Sequence, residues 1–434
     1  MPMKRSTGEV KGEDGRMTDS LHAIEKERIY LFAPAAMIFM KVTFQGIIPA
    51  DALQSAVGRA AAGQVALCSL VEQRPDGSAF FVPCDPPVPR VLPAAPGETP
   101  EAVMRREMRT PFAVERGEWM RHFLAEEDGK SVWLLCCHHM AGDGIALLYF
   151  IRDVEAALAD GGRTREREPL ALCSPGGALP LPIRMGVRAL NRQWGKTGRT
   201  FGPEDRARMT DAYWASRSLG MAHAVVDAQR LEKLLKACRA QRVTLTAAWL
   251  TAVWFLEKGT MDAGIAVSIR PEGLEAMANW ATGISVRCAW NGVEFWHAAR
   301  KIHRRMRRKT GDIRKRDFLL RFLRALSPTL IDASYFAAFD GLENGAARRI
   351  SAMFGYDGHP KSCSVTNLLR APLGNGAVER IAFYPPMVPN ARLLFGMVTV
   401  RGNLEITLQS FAGEKETKAL LDAALSRLFQ ACEP

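Results

Sequence analysis

Residues 131–150, SVWLLCCHHMAGDGIALLYF, place polar side chains between two apolar runs. The first run predicts a buried strand, and the second, beginning at Ile145, has the spacing of an amphipathic helix. A strand that leads directly into a helix restricts this part of the chain to an α/β arrangement. His138, His139 and Asp143 therefore lie at the junction of two buried elements, where polar residues are uncommon.

The two adjacent histidines cannot both serve one site. Successive side chains of a strand point to opposite faces, so only one of His138 and His139 is expected to be chemical. An imidazole, with an ordinary pKa of about 6.5, can take a proton from a hydroxyl or amine near neutral pH. A structural role for a histidine at a strand end remains open. Asp143 is expected to cap the next helix or to meet a cation elsewhere, between glycines at 142 and 144 that allow a tight loop.

The length of 434 residues exceeds the usual span of one hydrophobic core and predicts two domains or one large pseudo-duplicated unit. Residues 1–24 are expected to be a disordered lead, and 25–165 to form an N-terminal subdomain. Residues 166–212 mix Gly, Pro and Arg and are interpreted as a linker with one short basic helix. Residues 213–434 are expected to form a C-terminal subdomain in which helices and strands again alternate.

Membrane insertion and secretion are not expected. No run of about 18 apolar residues is free of charge, and the N-terminus lacks an apolar core typical of a signal peptide. The nine cysteines are scattered and never spaced as C-x-x-C. They indicate reduced thiols in a cytoplasmic protein rather than disulfides or a zinc site. A metal site built from the two histidines and Asp143 is not expected either, because adjacent side chains on a strand diverge and no third ligand stands nearby.

The formal net charge of +12 is concentrated in one window. Between Arg300 and Arg324, twelve Lys or Arg residues stand against Asp312 and Asp317. Such a window predicts a negatively charged partner, which could be nucleic acid, a membrane surface, an acidic carrier protein or a phosphorylated cofactor. A solvated helical face or loop explains it equally well. Nucleic acid is disfavoured because aromatic residues do not interleave the charges.

The segment HHMAGDG, residues 138–144, resembles the H-H-x-x-x-D-G signature of the chloramphenicol-acetyltransferase-like superfamily. This superfamily includes nonribosomal-peptide condensation domains, alcohol acetyltransferases and polyketide-associated acyltransferases. Four further segments support the resemblance: FQGIIPADALQSAV, TPFAVERGEWMRHFL with Pro111, Phe112, Gly117 and Arg121, SIRPEG, and SVTNL. The resemblance covers roughly residues 28–430 and is clearest between 105 and 160. The D-F-G-W-G motif of the plant BAHD enzymes is missing, which argues against that branch.

The resemblance implies an α/β fold of two similar subdomains, each a mixed sheet covered by helices, arranged in a V around a central tunnel. In this mapping His139 is the general base, and His138 supports it. Asp143 is a structural residue that is turned away from the substrate and paired with Arg270. Gly144 keeps the loop compact.

Three residues of the SVTNL segment, Ser364, Thr366 and Asn367, are candidates for lining the tunnel or for donating a hydrogen bond to an oxyanion. A core or turn role for them remains open. Acyl transfer from a thioester requires only a base and such a donor, since a thiolate is a good leaving group. No covalent nucleophile is expected, because the G-x-S-x-G motif is absent.

The resemblance therefore implies a stand-alone acyltransferase, monomeric, that moves an acyl group from acyl-CoA or from the phosphopantetheine of an acyl carrier protein to a small-molecule alcohol or amine. No metal or tightly bound cofactor is expected. The window from Arg300 to Arg324 is expected to contact the phosphates of CoA or an acidic carrier protein. Two alternatives remain open: a condensation-type amide synthase acting on carrier-bound substrates, and a non-catalytic binding protein that retains the fold.

Overall fold

The structure, a computed structural model, describes residues 22–432 except 87, 96, 161–169, 171, 174–175, 290–291, 293 and 375. The first 21 residues of the expected disordered lead lie outside the described residues, as do the end of the expected N-terminal subdomain and parts of the expected linker. Within the lead, His22–Ala23 is a short strand that pairs with a later strand, so this end of the lead is not disordered.

The described residues form fourteen β-strands, labelled in chain order. They are β1 His22–Ala23, β2 Met37–Phe44, β3 Ser69–Gln73, β4 Ala79–Pro83, β5 Val91–Pro93, β6 Met120–Glu127, β7 Lys130–His138, β8 Gly220–Val226, β9 Met261–Ser268, β10 Ala281–Cys288, β11 Lys361–Arg370, β12 Val378–Tyr384, β13 Ala391–Val400 and β14 Asn403–Ser410, all within the described residues.

The α-helices of the described residues are numbered in the same way. They are α1 Arg28–Leu31, α2 Ala50–Ala62, α3 Pro100–Glu107, α4 Gly144–Asp160, α5 Leu181–Gly195, α6 Pro203–Trp214, α7 Ala228–Ala240, α8 Leu245–Glu257, α9 Phe295–Thr310, α10 Ile313–Arg316, α11 Phe318–Ala325, α12 Pro328–Phe339, α13 Gly345–Phe354 and α14 Glu414–Gln430. None of these helices has the length and apolarity needed to cross a membrane.

A five-stranded sheet in the order β12-β2-β7-β6-β5 carries the histidine loop. Strands β6 and β7 form a hairpin, and its turn holds Asp128 and Gly129 at φ 50° and 71°. Two consecutive positive φ values are typical of the tight turn whose twist matches that of antiparallel strands. Strand β7 is buried along almost its whole length, because β2 and β6 flank it and α3 packs nearby.

A second sheet has six strands in the order β10-β9-β11-β13-β14-β8, and a small third sheet has the order β1-β4-β3. The six-stranded sheet is mixed, because β11 runs parallel to both β9 and β13 while the other pairs are antiparallel. Its apolar face shares a core with α7, α8, α9 and α14. The architecture is therefore two open mixed sheets covered by helices, and the predicted α/β class is confirmed.

Strand β12 departs from a simple division of the chain into halves. It belongs to the expected C-terminal subdomain, yet it pairs antiparallel with β2 of the first sheet. It also lies against β13 and β14: the Thr407 hydroxyl donates to the Phe383 carbonyl at 2.5 Å. Gly396 on β13 stands where any side chain would collide with that same carbonyl. One strand thus contacts both sheets.

The described part of the expected linker is mainly helical. Helix α5 is the predicted basic helix, and α6 extends two residues past the expected boundary at 212. Both are held by tryptophans: Trp194 donates to the Thr329 hydroxyl at 2.8 Å, and Trp214 donates to the Met108 carbonyl at 3.0 Å. This segment is consequently packed on the core rather than extended away from it.

Candidate active site

The histidine loop is short and is fastened to the start of β2. His138 is the last residue of β7 and pairs with Met37. The next amide, of His139, donates to the Ala36 carbonyl at 2.8 Å, and the Ala141 amide turns back to the His138 carbonyl at 3.0 Å. Because α4 begins at Gly144, only five residues separate the strand from the helix. The loop therefore holds its side chains in fixed positions.

His138 points into an aromatic pocket of the protein interior. Its ring lies 5.6 Å from that of Phe112 and 6.0 Å from that of Trp119, and its Nδ1 accepts from the Met140 amide at 3.4 Å. Burial lowers the pKa of His138 to about 3. The Arg121 guanidinium lies over the Phe112 ring, 4.2 Å from the ring centre. The segment from Pro111 to Arg121, part of the resemblance in the sequence, thus packs around the neutral His138.

His139 faces the opposite way, into a cavity of about 960 Å³. Both halves of the chain form its walls. On one side these are Tyr30, Ile38, His139 and Ile145, and on the other Gly264, Ile284, Ser364, Leu368 and Leu394. A pocket of this size, largely apolar with a few polar groups, is typical of a small-molecule site. The two histidines therefore divide between core and cavity, as alternation along a strand requires.

The hydrogen bond of His139 selects its tautomer. Its Nδ1 lies 2.9 Å from the Gly142 carbonyl oxygen, which can only accept, so Nδ1 carries the proton. The Asn279 amide nitrogen, 3.5 Å from the same Nδ1, cannot then donate to it and instead donates to the His139 carbonyl at 3.2 Å. The lone pair of the neutral ring is left on Nε2, the arrangement that a general base requires.

Burial keeps His139 neutral. Desolvation lowers the pKa of His139 below its ordinary value, and the bond to the Gly142 carbonyl and the charge of Asp143 raise it only in part. The ring of Tyr30 lies against the imidazole, with the ring centres 4.2 Å apart. Burial also raises the pKa of Tyr30 to about 12, so the phenol stays protonated. The imidazole ring is thus held in place by the Gly142 carbonyl and by the protonated Tyr30.

Asp143 has three partners, all of them structural. Its Oδ1 accepts from the Ala146 amide at 2.9 Å, which caps α4, and from Arg270 Nη2 at 3.0 Å. Its Oδ2 accepts from the Trp280 amide at 2.7 Å. The Arg270 side chain also donates to three backbone carbonyls, at Leu274, Ala276 and Ala278. A buried ion pair therefore joins the histidine loop to the segment between β9 and β10 of the other sheet.

Gly144 stands at a close approach between the loop and the second half of the chain. A Cβ placed there would lie 2.7 Å from Leu368 Cδ2 and 3.1 Å from Phe383 Cε2. A Cβ at Gly142 would similarly lie 2.7 Å from Met277 Cε. At both positions, side chains from the other half of the chain occupy the space beside the glycine.

The three candidates on β11, Ser364, Thr366 and Asn367, line the same cavity as His139. Asn367 is already engaged: its amide donates to the Thr246 hydroxyl at 3.3 Å and its Oδ1 accepts from the Leu369 amide at 2.9 Å. The hydroxyls of Ser364 and Thr366 are therefore the better candidates for donation to a ligand.

Three further cavity residues, Lys26, Tyr30 and Asn279, were not singled out by the sequence. Lys26 is buried, donates to the Asn279 carbonyl and lies 3.5 Å from Glu27. Lys26 and Tyr30 belong to the charged segment EKERIY, and Asn279 belongs to a turn that follows Arg270. No local pattern marks them, since only folding brings these segments to the histidine loop.

The basic window does not form one face. It spans α9, α10 and α11, and three of its cations, Lys309, Arg314 and Lys315, line the cavity. Other cations of the window form hydrogen bonds with the backbone: Arg305 donates to the Arg287 carbonyl, and the buried Arg321 donates to the Arg314 carbonyl.

Lys309 is surrounded by like charge. Its pKa is lowered by burial, although the nearby Asp262 opposes the shift, and Lys361, Arg308 and Lys315 lower it further. Lys361 also lines the cavity and donates to the Ser285 hydroxyl at 2.6 Å. This edge of the cavity is a positively charged position suited to an anionic group.

Within the described ranges, no group of three His, Cys, Asp or Glu side chains is placed to hold a metal ion. No protein-family model and no curated protein sequence matches the chain.

Solved structures, however, share its fold over nearly the whole length. Polyketide synthase associated protein 5 from Mycobacterium tuberculosis superposes with a TM-score of 0.59 at 17% identity, covering 95% of this chain and 97% of that one. The first condensation domain of the calcium-dependent antibiotic synthetase, in complex with a substrate analogue, superposes with a TM-score of 0.61 at 16% identity, covering 96% of this chain and 97% of that one. The condensation domain of the Monacolin K polyketide synthase MokA superposes with a TM-score of 0.59 at 15% identity, covering 95% of this chain and 97% of that one.

These similarities define the fold. The chain has the two-subdomain fold of the condensation domains that it superposes on, and the fold implied by the resemblance is confirmed. At these identities the likeness extends to the fold, while the chemistry of the site must be argued from its own residues.

Proposed function

We propose that this protein is an acyltransferase that moves an acyl group from a thioester to an alcohol or amine, with His139 as the general base. The observation that carries the proposal is the tautomer of His139. Its Nδ1–H donates to the Gly142 carbonyl, so Nε2 is unprotonated, and the ring lies in the wall of a cavity of about 960 Å³. A neutral, fixed imidazole in a largely apolar pocket is suited to deprotonate a nucleophile.

The reaction needs no further reagent. Nε2 of His139 takes the proton from the acceptor hydroxyl or amine while the acceptor atom bonds to the thioester carbonyl carbon. The tetrahedral intermediate then collapses, the C–S bond breaks, and the imidazolium returns its proton to the departing sulfur. The products are an ester or amide and a free thiol, and His139 is again neutral.

The negative charge on the carbonyl oxygen requires a hydrogen-bond donor. The proposal assigns this role to a hydroxyl of β11, Ser364 or Thr366, because both line the cavity and Asn367 is engaged with Thr246 and Leu369. Asp143 and Arg270 act as positioning residues that fix the loop, and His138 supports β7 from the core side.

The donor is proposed to be acyl-CoA or an acyl group on the phosphopantetheine of a carrier protein. The cations Lys309, Arg314, Lys315 and Lys361 lie at one edge of the cavity and would meet the phosphate that both donors carry. The acceptor is a small molecule, and the proposed state is a monomer, because a single chain supplies the described walls.

Two other functions belong to the same fold. A condensation-type amide synthase would act on two carrier-bound substrates, and a non-catalytic protein would only bind in the cavity. Incubation with a panel of acyl-CoAs and acylated carrier domains, with alcohol and amine acceptors and with free thiol as readout, separates them. Turnover with carrier-bound substrates alone favours the amide synthase, and binding without thiol release favours the binding protein.

His139→Ala removes the general base and is expected to lower kcat by about 10² to 10⁴-fold while the fold persists. The measurement is the rate of thiol release, with circular dichroism as the check on folding. His297→Ala, which removes an exposed histidine from α9, is the matched control and should keep full activity. An unchanged rate for a folded His139→Ala protein contradicts the assignment.

A further inference from the structure

Large apolar side chains protrude around the helical side of the cavity. Five of them form what we call the apolar rim: Leu181, Met185, Ile313, Phe318 and Met353. Their exposed fractions run from 37% to 62%. Isolated exposed hydrophobics are normal, but a group around one opening marks an interaction surface.

The rim residues come from four helices, each of which lines the cavity or begins next to a residue that does. Phe318 and Met353 line the cavity themselves, as do Pro180 and Arg314, the chain neighbours of Leu181 and Ile313. Helix α5 packs on α13, and its Asn191 amide donates to the Ala325 carbonyl at the end of α11. Two members of the apolar rim thus line the cavity, two stand next in the chain to residues that line it, and Met185 lies one turn along α5 from Leu181.

Cations surround the apolar rim. On α5 and its C-cap, positions 181, 185, 188, 192 and 196 follow at spacings of three or four. Arg188, Arg192 and the C-cap residue Lys196 therefore extend the same exposed face that begins with Leu181 and Met185. Residues 181–202 contain five Lys or Arg and no Asp or Glu. Helix α13 adds the exposed pair at 348 and 349.

We propose that the apolar rim docks on an anionic membrane surface, with the helical side of the cavity facing the lipid. A helix that lies in a membrane interface carries apolar side chains that enter the acyl boundary and Lys or Arg that meet anionic headgroups. Helix α5 has both on one face. This inference concerns binding to lipid and stands whether or not the protein is an acyltransferase.

The interior of the cavity continues the apolar surface inwards. Phe318 stacks against Phe322, with the ring centres 6.1 Å apart, and Phe322 in turn meets Phe354 at 6.2 Å. All three line the cavity. A lipophilic chain could therefore pass from the bilayer to the cavity along aromatic side chains without crossing water. This step rests on the proposed function and assigns a lipophilic acyl chain or acceptor to the site.

Sedimentation with lipid vesicles tests the docking. The full chain is expected to bind vesicles of phosphatidylcholine mixed with phosphatidylglycerol, to bind pure phosphatidylcholine vesicles at least about tenfold more weakly, and to be released as salt is raised. Leu181→Glu/Met185→Glu and Arg188→Glu/Arg192→Glu should each weaken binding to the anionic vesicles by about tenfold or more.

Matched controls separate the rim from general effects of charge. Ile47→Glu replaces an equally exposed apolar residue that does not line the cavity, and Lys236→Glu/Arg239→Glu reverses two charges on α7. Both controls should bind anionic vesicles like the wild type. Equal binding by rim and control variants, or no binding by the wild type, overturns the proposal. So does a loss of binding to an acidic carrier protein in the rim variants while their vesicle binding is unchanged.

Turnover of a short-chain, water-soluble acyl-CoA separates this inference from the proposed function. Leu181→Glu/Met185→Glu should keep that turnover and lose turnover of a substrate presented in vesicles. Vesicle binding by a protein that turns over neither substrate would contradict the acyltransferase but not the docking. Equal turnover of the vesicle-borne substrate by wild type and rim variant contradicts the lipid route.

Discussion

At the scale of single residues, the adjacent histidines show how strand geometry assigns different environments to identical side chains. His138 ends β7 on its core face, against Phe112 and Trp119. His139 lies one position later and faces the cavity, with Nδ1 bound to the Gly142 carbonyl. A shift of one residue in the pairing of β7 with β2 would exchange the two environments. The register is therefore part of the site.

The pH dependence of the reaction should follow the environment of His139. Burial lowers the pKa of His139, so the neutral form persists below pH 6.5 and is lost only as the pH falls through the lowered value. We expect kcat/KM to be flat around neutral pH and to fall on the acid side with an inflection below about 6.5. The measurement is the rate of thiol release as a function of pH at constant ionic strength. An acid-side inflection above pH 7 would contradict a desolvated base.

Asp143 should contribute more to stability than to substrate affinity. Asp143→Ala removes the cap of α4 and leaves the buried Arg270 guanidinium without its carboxylate. Loss of one partner of a buried pair costs about 3–5 kcal/mol, so the melting temperature should fall well below that of His139→Ala. Asp143→Asn, which keeps hydrogen-bond acceptance but not the charge, should be intermediate. A fully stable but inactive Asp143→Ala would contradict the structural role.

The sequence predicted the residues of the motif but not those that surround them. The resemblance mapped His139, Asp143 and Arg270, because they lie in recognisable segments. Lys26 and Asn279 could not be predicted, since a lysine in a charged segment and an asparagine in a turn carry no periodic signal. Their positions beside His139 depend on contacts between segments more than 100 residues apart, as in the bond between Asn279 and the His139 carbonyl.

At the scale of elements, the basic window shows why a count of charges does not predict a surface. Successive residues of a helix are rotated by about 100°, so a run of cations on α9 to α11 points in several directions. Lys309 reaches the cavity, Arg305 turns to the Arg287 carbonyl, and Arg316 pairs with Asp317 at 2.6 Å. By contrast, α5 has fewer cations, but Arg188, Arg192 and the C-cap residue Lys196 share one exposed face. The spacing of cations along a helix therefore predicts a charged surface better than their number in a window does.

Strand β12 is the element whose partner was least predictable. Its sequence, VERIAFY, predicts a strand, but periodicity does not reveal which sheet a strand joins. The position of β12 between the two sheets depends on contacts that only the folded chain has: Gly396 of β13 lets the Phe383 carbonyl approach, and Gln409 of β14 donates to the Pro385 carbonyl at 2.6 Å. An expected boundary at 213 therefore separates elements in sequence that the fold joins in space.

At the scale of the whole molecule, three of the contacts between the two halves bear directly on the site. The Asp143–Arg270 ion pair connects the histidine loop to the segment after β9, β12 completes the first sheet, and Leu368 packs against Gly144. All three are close to the cavity or continuous with its walls. The geometry of the site consequently depends on the association of the halves and not on either half alone.

This coupling predicts that the halves unfold together. Ile381 is fully buried in the middle of β12, opposite Val42, and Ile381→Asp would place a charge there at a cost of about 4 kcal/mol or more. Because β12 contacts both sheets, amide hydrogen exchange should accelerate in β2 and β7 and also in β13 and β14. Val225→Asp, on the half-exposed face of edge strand β8, is the control and should leave exchange in β2 and β7 unchanged. Acceleration confined to the first sheet in Ile381→Asp would show that the halves open independently, and the cavity would then lose one wall without the other.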